Sequence, residues 1–166
     1  MQLDVLPEKK PWYADGLSFT CTQCGNCCTG GPGFVWISME EIGRLAEFLK
    51  LTTAQVITKY CRAFGERLSL KENRQPNGEF DCVFLKPIPG DKNNRRGCSI
   101  YPVRPLQCRT WPFWDSNLES RERWKVASER CPGMGKGSRK FSLKQIEMIR
   151  DATDWPQKPP TSKTGR

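Results

Sequence analysis

Hydrophobic positions recur at helical spacing in three stretches of this chain, and a cap precedes each one. Ser38 followed by Glu41 forms a capping box, and Ile42, Leu45, Ala46 and Leu49 follow at intervals of three and four, predicting a helix from about residue 39 to about residue 50. Thr52 and Gln55 repeat the box, and Val56, Ile57, Tyr60 and Phe64 extend a second apolar stripe. These two short helices are expected to pack as a pair. Ser142 and Gln145 open a last helix carrying Leu143, Ile146 and Ile149.

Between these helices the period changes to two. "RLSLKEN" and "EFDCVFL" alternate or run apolar on either side of "RQPNG", whose Pro, Asn and Gly favour a turn, so a small antiparallel hairpin is expected. "PIPGDKNNRRG" reads as a polar loop and "CSIYP" as a further short strand. "VRPLQCRTWPFWDSN" is interrupted too often by proline for a long regular element. Residues 1–18, broken by Pro7 and Pro11, form a lead-in, and the proline-rich basic stretch 154–166 is expected to be a disordered tail. The fold class expected for 19–153 is a small irregular α+β single domain, with a few short helices and a small antiparallel sheet organised around cysteine-ligated metal.

Composition changes this picture in three ways. Only 37% of residues are hydrophobic, but six Trp and eight Phe concentrate apolar surface in a few large side chains. Histidine is absent, which excludes Cys-His and Ser-His nucleophilic pairs, H-E-x-x-H zinc sites and imidazole acid–base chemistry. The formal charge of +9 invites a nucleic-acid partner, yet eight metal-bound cysteines would have to be thiolates, which lowers it to +1 before any metal is counted. Nucleic acid is therefore not an expected partner, and neither is a membrane. No secretory signal or spanning segment is present, so a cytoplasmic, reducing setting is expected.

The nine cysteines carry the chemistry. Disulfides are disfavoured by the reducing setting, the odd count and the strain of a vicinal Cys27–Cys28 bridge. In C-x-x-C the intervening turn brings two sulfurs to one side, so Cys21, Cys24 and Cys27 can surround one centre, the ligand spacing of a bacterial ferredoxin cluster, with Cys131-Pro132 as a candidate remote ligand. Cys28 projects differently and is expected to serve a second site or none. The glycines from Gly30 to Gly33 are expected to let backbone amides approach sulfur. Cys82, Cys98 and Cys108 lie on separate segments and can converge only through the fold. Arg104 and Arg109 either flank thiolates or face solvent. Cys61, in the second predicted helix, is expected to be a small core hydrophobe. Core filling is also the expected role of Trp111, Trp114 and Trp124, with shielding of a cluster as the alternative. "GMGKGS" fails as a phosphate loop, because Arg130 stands at the first glycine position and Gly137 follows Lys136. The pair Glu40-Glu41 falls at a helix start, where the macrodipole accounts for it.

Taken together, "CTQCGNCC", "CVFL", "CSIYPVRPLQCRTWPFW" and "CPGMGKG" resemble the YkgJ-type cysteine-cluster family, known as a zinc- or iron-chelating domain. The similarity runs from about Phe19 to about Gly137, and Cys21, Cys24, Cys27, Cys28, Cys82, Cys98, Cys108 and Cys131 match its pattern while Cys61 does not. The resemblance implies a cysteine-rich metal-binding protein whose cofactor is an iron–sulfur cluster, with [4Fe–4S] favoured, or zinc. An iron–sulfur electron carrier is one alternative. A protein-lysine methyltransferase related to flagellin N-methylases is another, although no glycine-rich nucleotide loop follows a strand here. The expected partners are the metal or cluster and a protein; whether a reaction is catalysed stays open.

Overall fold

The computed structural model describes residues 10–153. Helix α1 spans Met39–Leu49, and its capping box is formed as expected: Glu41 N–H donates to Ser38 Oγ at 3.2 Å and Ser38 N–H to Glu41 Oε2 at 2.9 Å. Each satisfied end group stabilises by roughly 1 kcal/mol. Helix α2, Thr53–Tyr60, begins with the reciprocal bonds of Thr52 and Gln55. It ends earlier than the apolar stripe suggests. Cys61 is extended and opens strand β3, Cys61–Phe64, so neither Cys61 nor Phe64 is helical. The cause is pairing: β3 turns at Gly65, which has φ +57°, and runs antiparallel to β4, Arg67–Leu70, with Cys61 opposite Leu70 and Phe64 opposite Arg67.

Strand β4 is the centre of a three-stranded sheet whose other edge is β2, Trp36–Ile37. "RLSL" therefore pairs with β2 and β3 rather than with "EFDCVFL". Of the expected hairpin only β5, Glu72–Arg74, and β6, Phe80–Cys82, pair with each other around the predicted turn. A second hairpin joins β7, Leu85–Pro87, to β8, Arg96–Cys98, across the polar loop, with Leu85 opposite Cys98. "CSIYP" supplies only the end of β8 and then turns into one 3₁₀ turn, Tyr101–Val103. The proline-interrupted stretch folds into two helices of barely one turn, α3, Leu106–Thr110, and α4, Asp115–Leu118.

Helix α5, Arg121–Arg130, has no counterpart in the hydrophobic pattern because Trp124 is the one residue it buries. Ser120 caps it, accepting from Arg123 N–H at 3.2 Å. The predicted last helix is α6, Leu143–Asp151, preceded by strand β9, Lys140–Phe141, which pairs with β1, Leu17–Ser18.

Two cores result. The first lies between the three-stranded sheet and helices α1 and α2, and contains Ile37, Ile42, Leu45, Val56, Cys61, Leu70, Phe84 and Ile100. The second gathers Tyr13, Phe113, Leu118, Trp124, Met134, Phe141 and Ile146. Tyr13 and the neighbouring Trp12, which donates from Nε1 to Leu118 O at 2.7 Å, tie the end of the lead-in to this second core. Fully burying a side chain such as Ile42 or Phe113 contributes on the order of 2 kcal/mol. No helix among the described residues is long and apolar enough to cross a membrane. The tail expected from residue 154 onward lies outside the described residues.

Candidate metal centre

The segment carrying Cys21, Cys24, Cys27 and Cys28 runs between the two cores and is pinned at both ends by glycine. Ahead of Cys21, Thr20 N–H donates to Gly133 O at 3.1 Å and Gly135 N–H to Ser18 O at 2.8 Å. The backbones approach so closely that a Cβ on Gly133 would stand 2.0 Å from Thr20 O, and one on Gly137 would stand 2.4 Å from Thr20 N. "CPGMGKG" is thus a close-contact strap that brings Cys131 to the C-x-x-C turns. Gly25, with φ +76°, folds the middle of those turns onto β8, where a Cβ would meet Arg96 O at 2.9 Å. Beyond Cys28, Gly30 and Phe80 exchange both backbone hydrogen bonds, at 3.1 and 2.7 Å.

Those bonds correct one expectation. The amides of Gly30 and Gly33 do not turn to sulfur: Gly30 N–H donates to Phe80 O, and Gly33 N–H donates to the Glu72 carboxylate at 3.2 Å. They dock the cysteine segment on the β5–β6 hairpin.

Cys21, Cys24, Cys27, Cys28, Cys98, Cys108 and Cys131 line one cavity of about 220 Å³. Cys82 is absent from its lining, but its thiol lies in the field of Cys98 and Cys27. Cys61 is buried in the first core at 5% exposure, as a core hydrophobe should be. All nine cysteines are free thiols. Cys27 and Cys28 sulfurs are 3.9 Å apart, within reach of a thiol hydrogen bond. Among the described residues no three metal-binding side chains stand together as a finished site.

The thiols divide electrostatically. A hydrogen bond from Cys28 lowers Cys27 to about 7 against partial desolvation, with help from Arg104 and Arg130. A bond from the same thiol lowers Cys98 to about 7, again with help from Arg104. Cys28, as donor to both, is pushed far up. Burial raises Cys82 to about 11 and Cys108 well above the ordinary thiol value. Cys131 is also raised by burial, opposed by the Trp111 indole N–H, which points at its sulfur from 3.5 Å. The cavity therefore combines thiols lowered toward neutral pH with thiols raised by burial, and a cation engaging all of them would have to displace protons.

Two arginines face the sulfurs. Arg104 reaches Cys21 Sγ with Nη1 at 3.9 Å, stacks on Tyr101 with 3.6 Å between guanidinium carbon and ring centre, and keeps a buried Nε without a partner. Arg109 turns away, donating to Arg104 O at 3.1 Å and pairing with Glu41 at 3.7 Å. The second cation is Arg130, at the end of α5, which donates to Thr29 O at 2.7 Å and lines the cavity. In the sequence it stood out only for breaking a phosphate-loop pattern, and its position beside Cys131 was the available signal. Trp111 and Trp114 wall the cavity, whereas Trp124 fills the second core. Glu41 does more than face a helix start, because its Oε1 accepts Leu106 N–H at 2.6 Å and so ties α1 to the helix bearing Cys108.

The donor set suits a thiophilic metal: sulfurs throughout, no imidazole, cations beside the thiols and indoles that exclude water. In agreement with that chemistry, residues 20–132 match the family described as "Putative zinc- or iron-chelating domain", and the chain belongs to this family. It is also 31% identical over 101 residues to an uncharacterized Methanocaldococcus jannaschii protein, MJ0661; the match covers 61% of this chain and 48% of that one, so the chain spans about half its relative's length. No solved structure matches.

Proposed function

We propose that the chain is a thiolate metal-binding module that holds zinc or an iron–sulfur cluster through Cys21, Cys24, Cys27, Cys28, Cys82, Cys98, Cys108 and Cys131. The observation that carries this is convergence: cysteines from both halves of the sequence meet at one cavity, brought there by unrelated contacts. A bound soft metal would supply the positive charge that keeps the thiols ionised, and it would cross-link segments that the backbone joins only through long loops. Arg104 and Arg130 offset the excess negative charge of an all-thiolate site. The C-x-x-C-x-x-C spacing favours [4Fe–4S] over zinc. Exposure of Cys21, Cys24 and Cys27 supports a second reading, electron transfer to a protein partner, because a cluster held there would lie near the surface. A reducing cytoplasm suits such a set of free thiols.

Protein purified without oxygen from cells supplied with iron and zinc should retain metal at neutral pH. A cluster would make it brown, with iron and acid-labile sulfide in comparable amounts; zinc would leave it colourless. Cys24→Ser should lower the metal content. Reduced protein that takes up neither Zn²⁺ nor iron with sulfide would sink the proposal.

A further inference from the structure

Building on that metal-binding reading, we infer that the cysteines form two neighbouring four-thiolate sites: an inner one of Cys28, Cys82, Cys98 and Cys108, and an outer one of Cys21, Cys24, Cys27 and Cys131. Strand register builds the inner set. Gly30 and Phe80 are a doubly bonded antiparallel pair, which sets the 3₁₀ turn ending at Cys28 beside the strand ending at Cys82, close enough that the Cys82 charge acts on the Cys28 thiol. Cys98 stands opposite Leu85, and Ser99 N–H donates to Phe84 O at 2.9 Å, which sets Cys98 beside the segment following Cys82. The Cys28 thiol bonds both to Cys27 across the junction, at 3.9 Å, and to Cys98 within the set. Cys108 arrives on α3, whose Gln107 is clamped to β2 by accepting Trp36 N–H at 2.8 Å and donating to Phe34 O at 2.9 Å. Burial raises its thiol, which also feels the charges of Cys27, the junction residue, and of Cys82 and Cys98.

The outer set is tied to different structure. The Gly133–Thr20 contact places the Cys131 turn against the residue preceding Cys21, and Cys24 and Cys27 are the thiols acting on Cys131. Cys131 packs on the second core, whereas Cys82 and Cys98 pack on the first. Cys21, Cys24 and Cys27 are exposed, whereas Cys131 and the inner four are partly buried. The Cys27–Cys28 peptide bond is the junction, with one thiol given to each side. The vicinal cysteines thus link two sites.

The test uses the full chain, reduced and anaerobic, with Co²⁺ as a visible probe and Zn²⁺ for stoichiometry. Wild type should bind about two tetrahedral thiolate ions per chain. Cys98→Ser or Cys108→Ser should leave about one, as should Cys24→Ser or Cys131→Ser. The double variant within a set, C24S/C131S, should still hold about one, and the cross-set double, C24S/C98S, about none. A variant-free measurement covers loss of folding. Zn²⁺-loaded wild type is stripped stepwise with chelator, and newly alkylated cysteines are mapped by mass spectrometry. Cys21, Cys24, Cys27 and Cys131 should become reactive together, ahead of the inner four. Simultaneous reaction of all of them, or complete metal loss from both C24S and C98S, would overturn the division. One ion requiring every cysteine would overturn it too while leaving metal binding intact, whereas no ion at all would remove the metal-binding reading itself.

Discussion

Gly133→Ala is a direct test of the strap that holds the two halves of the candidate centre together. The added methyl would stand 2.0 Å from Thr20 O and 3.0 Å from its carbonyl carbon, both backbone atoms that no rotamer change can move. Relief requires the Gly133 turn and the Thr20 segment to separate, which pulls on the Thr20 N–H to Gly133 O bond of 3.1 Å and the Gly135 N–H to Ser18 O bond of 2.8 Å. Overpacking of this kind costs about 1–3 kcal/mol, and a lost backbone bond adds roughly 1 kcal/mol. The expected destabilisation is therefore about 2–4 kcal/mol, a large share of the 5–15 kcal/mol typical of a small domain. Gly31→Ala is the matched control, because its Cβ would meet nothing within 4 Å. The control should stay within about 0.5 kcal/mol of wild type. Urea unfolding of reduced, metal-free protein compares the midpoints, and alkylation of Cys131 should quicken in Gly133→Ala as its turn lifts. Equal midpoints for the two variants would refute the close-contact argument.

The buried Asp81, which accepts an ion-paired hydrogen bond from Arg96, joins the hairpins bearing Cys82 and Cys98. Burial alone would raise its carboxyl, but Thr29 and Arg96 outweigh that and hold it below the ordinary value. Its stabilising contribution is thus present above the unfolded pKa of about 3.9 and lost as pH falls through the lower folded value. Asp81→Asn should be less stable at neutral pH and decline less steeply in acid, as followed by urea midpoints across pH; an unchanged acid limb would contradict the assignment. Because Cys82 lies at about 11 and Cys108 well above the ordinary thiol value, Zn²⁺ binding should release protons and tighten from pH 6 to 8, read by chelator competition. An affinity independent of pH would count against engagement of those thiols. Cys61→Ala should cost about 1 kcal/mol of stability and leave metal content unchanged, and metal loss equal to that of Cys24→Ser would make the ninth cysteine a ligand.

The helices announced by capping boxes are local events, and local chemistry was enough to read them: Ser38, Thr52 and Ser142 each meet a partner three residues away. The candidate donor chemistry is legible for the same reason. A chain without histidine and with C-x-x-C-x-x-C-C can build a soft-metal site only from sulfur. Cys61 as a core residue also followed from its apolar neighbours, even though it sits on a strand rather than a helix. Contacts distant in sequence could not be read in this way. The period that makes Tyr60 and Phe64 neighbours on a helix does not show that β4 will capture the stretch from Cys61 as a strand. Helix α5 carries one buried residue and therefore no stripe to read. Gly30 looked like a source of amides for sulfur until Phe80 claimed its N–H, and Arg130 gained its place at the cavity only through Asn26 and Thr29. Residue types and short spacings decide which atoms could bind a soft metal, because donor chemistry belongs to each side chain. Which of those candidate donors come near one another was decided by the tertiary structure, since it depends on backbone pairs such as Gly30–Phe80 and Thr20–Gly133, whose partners lie far apart along the chain.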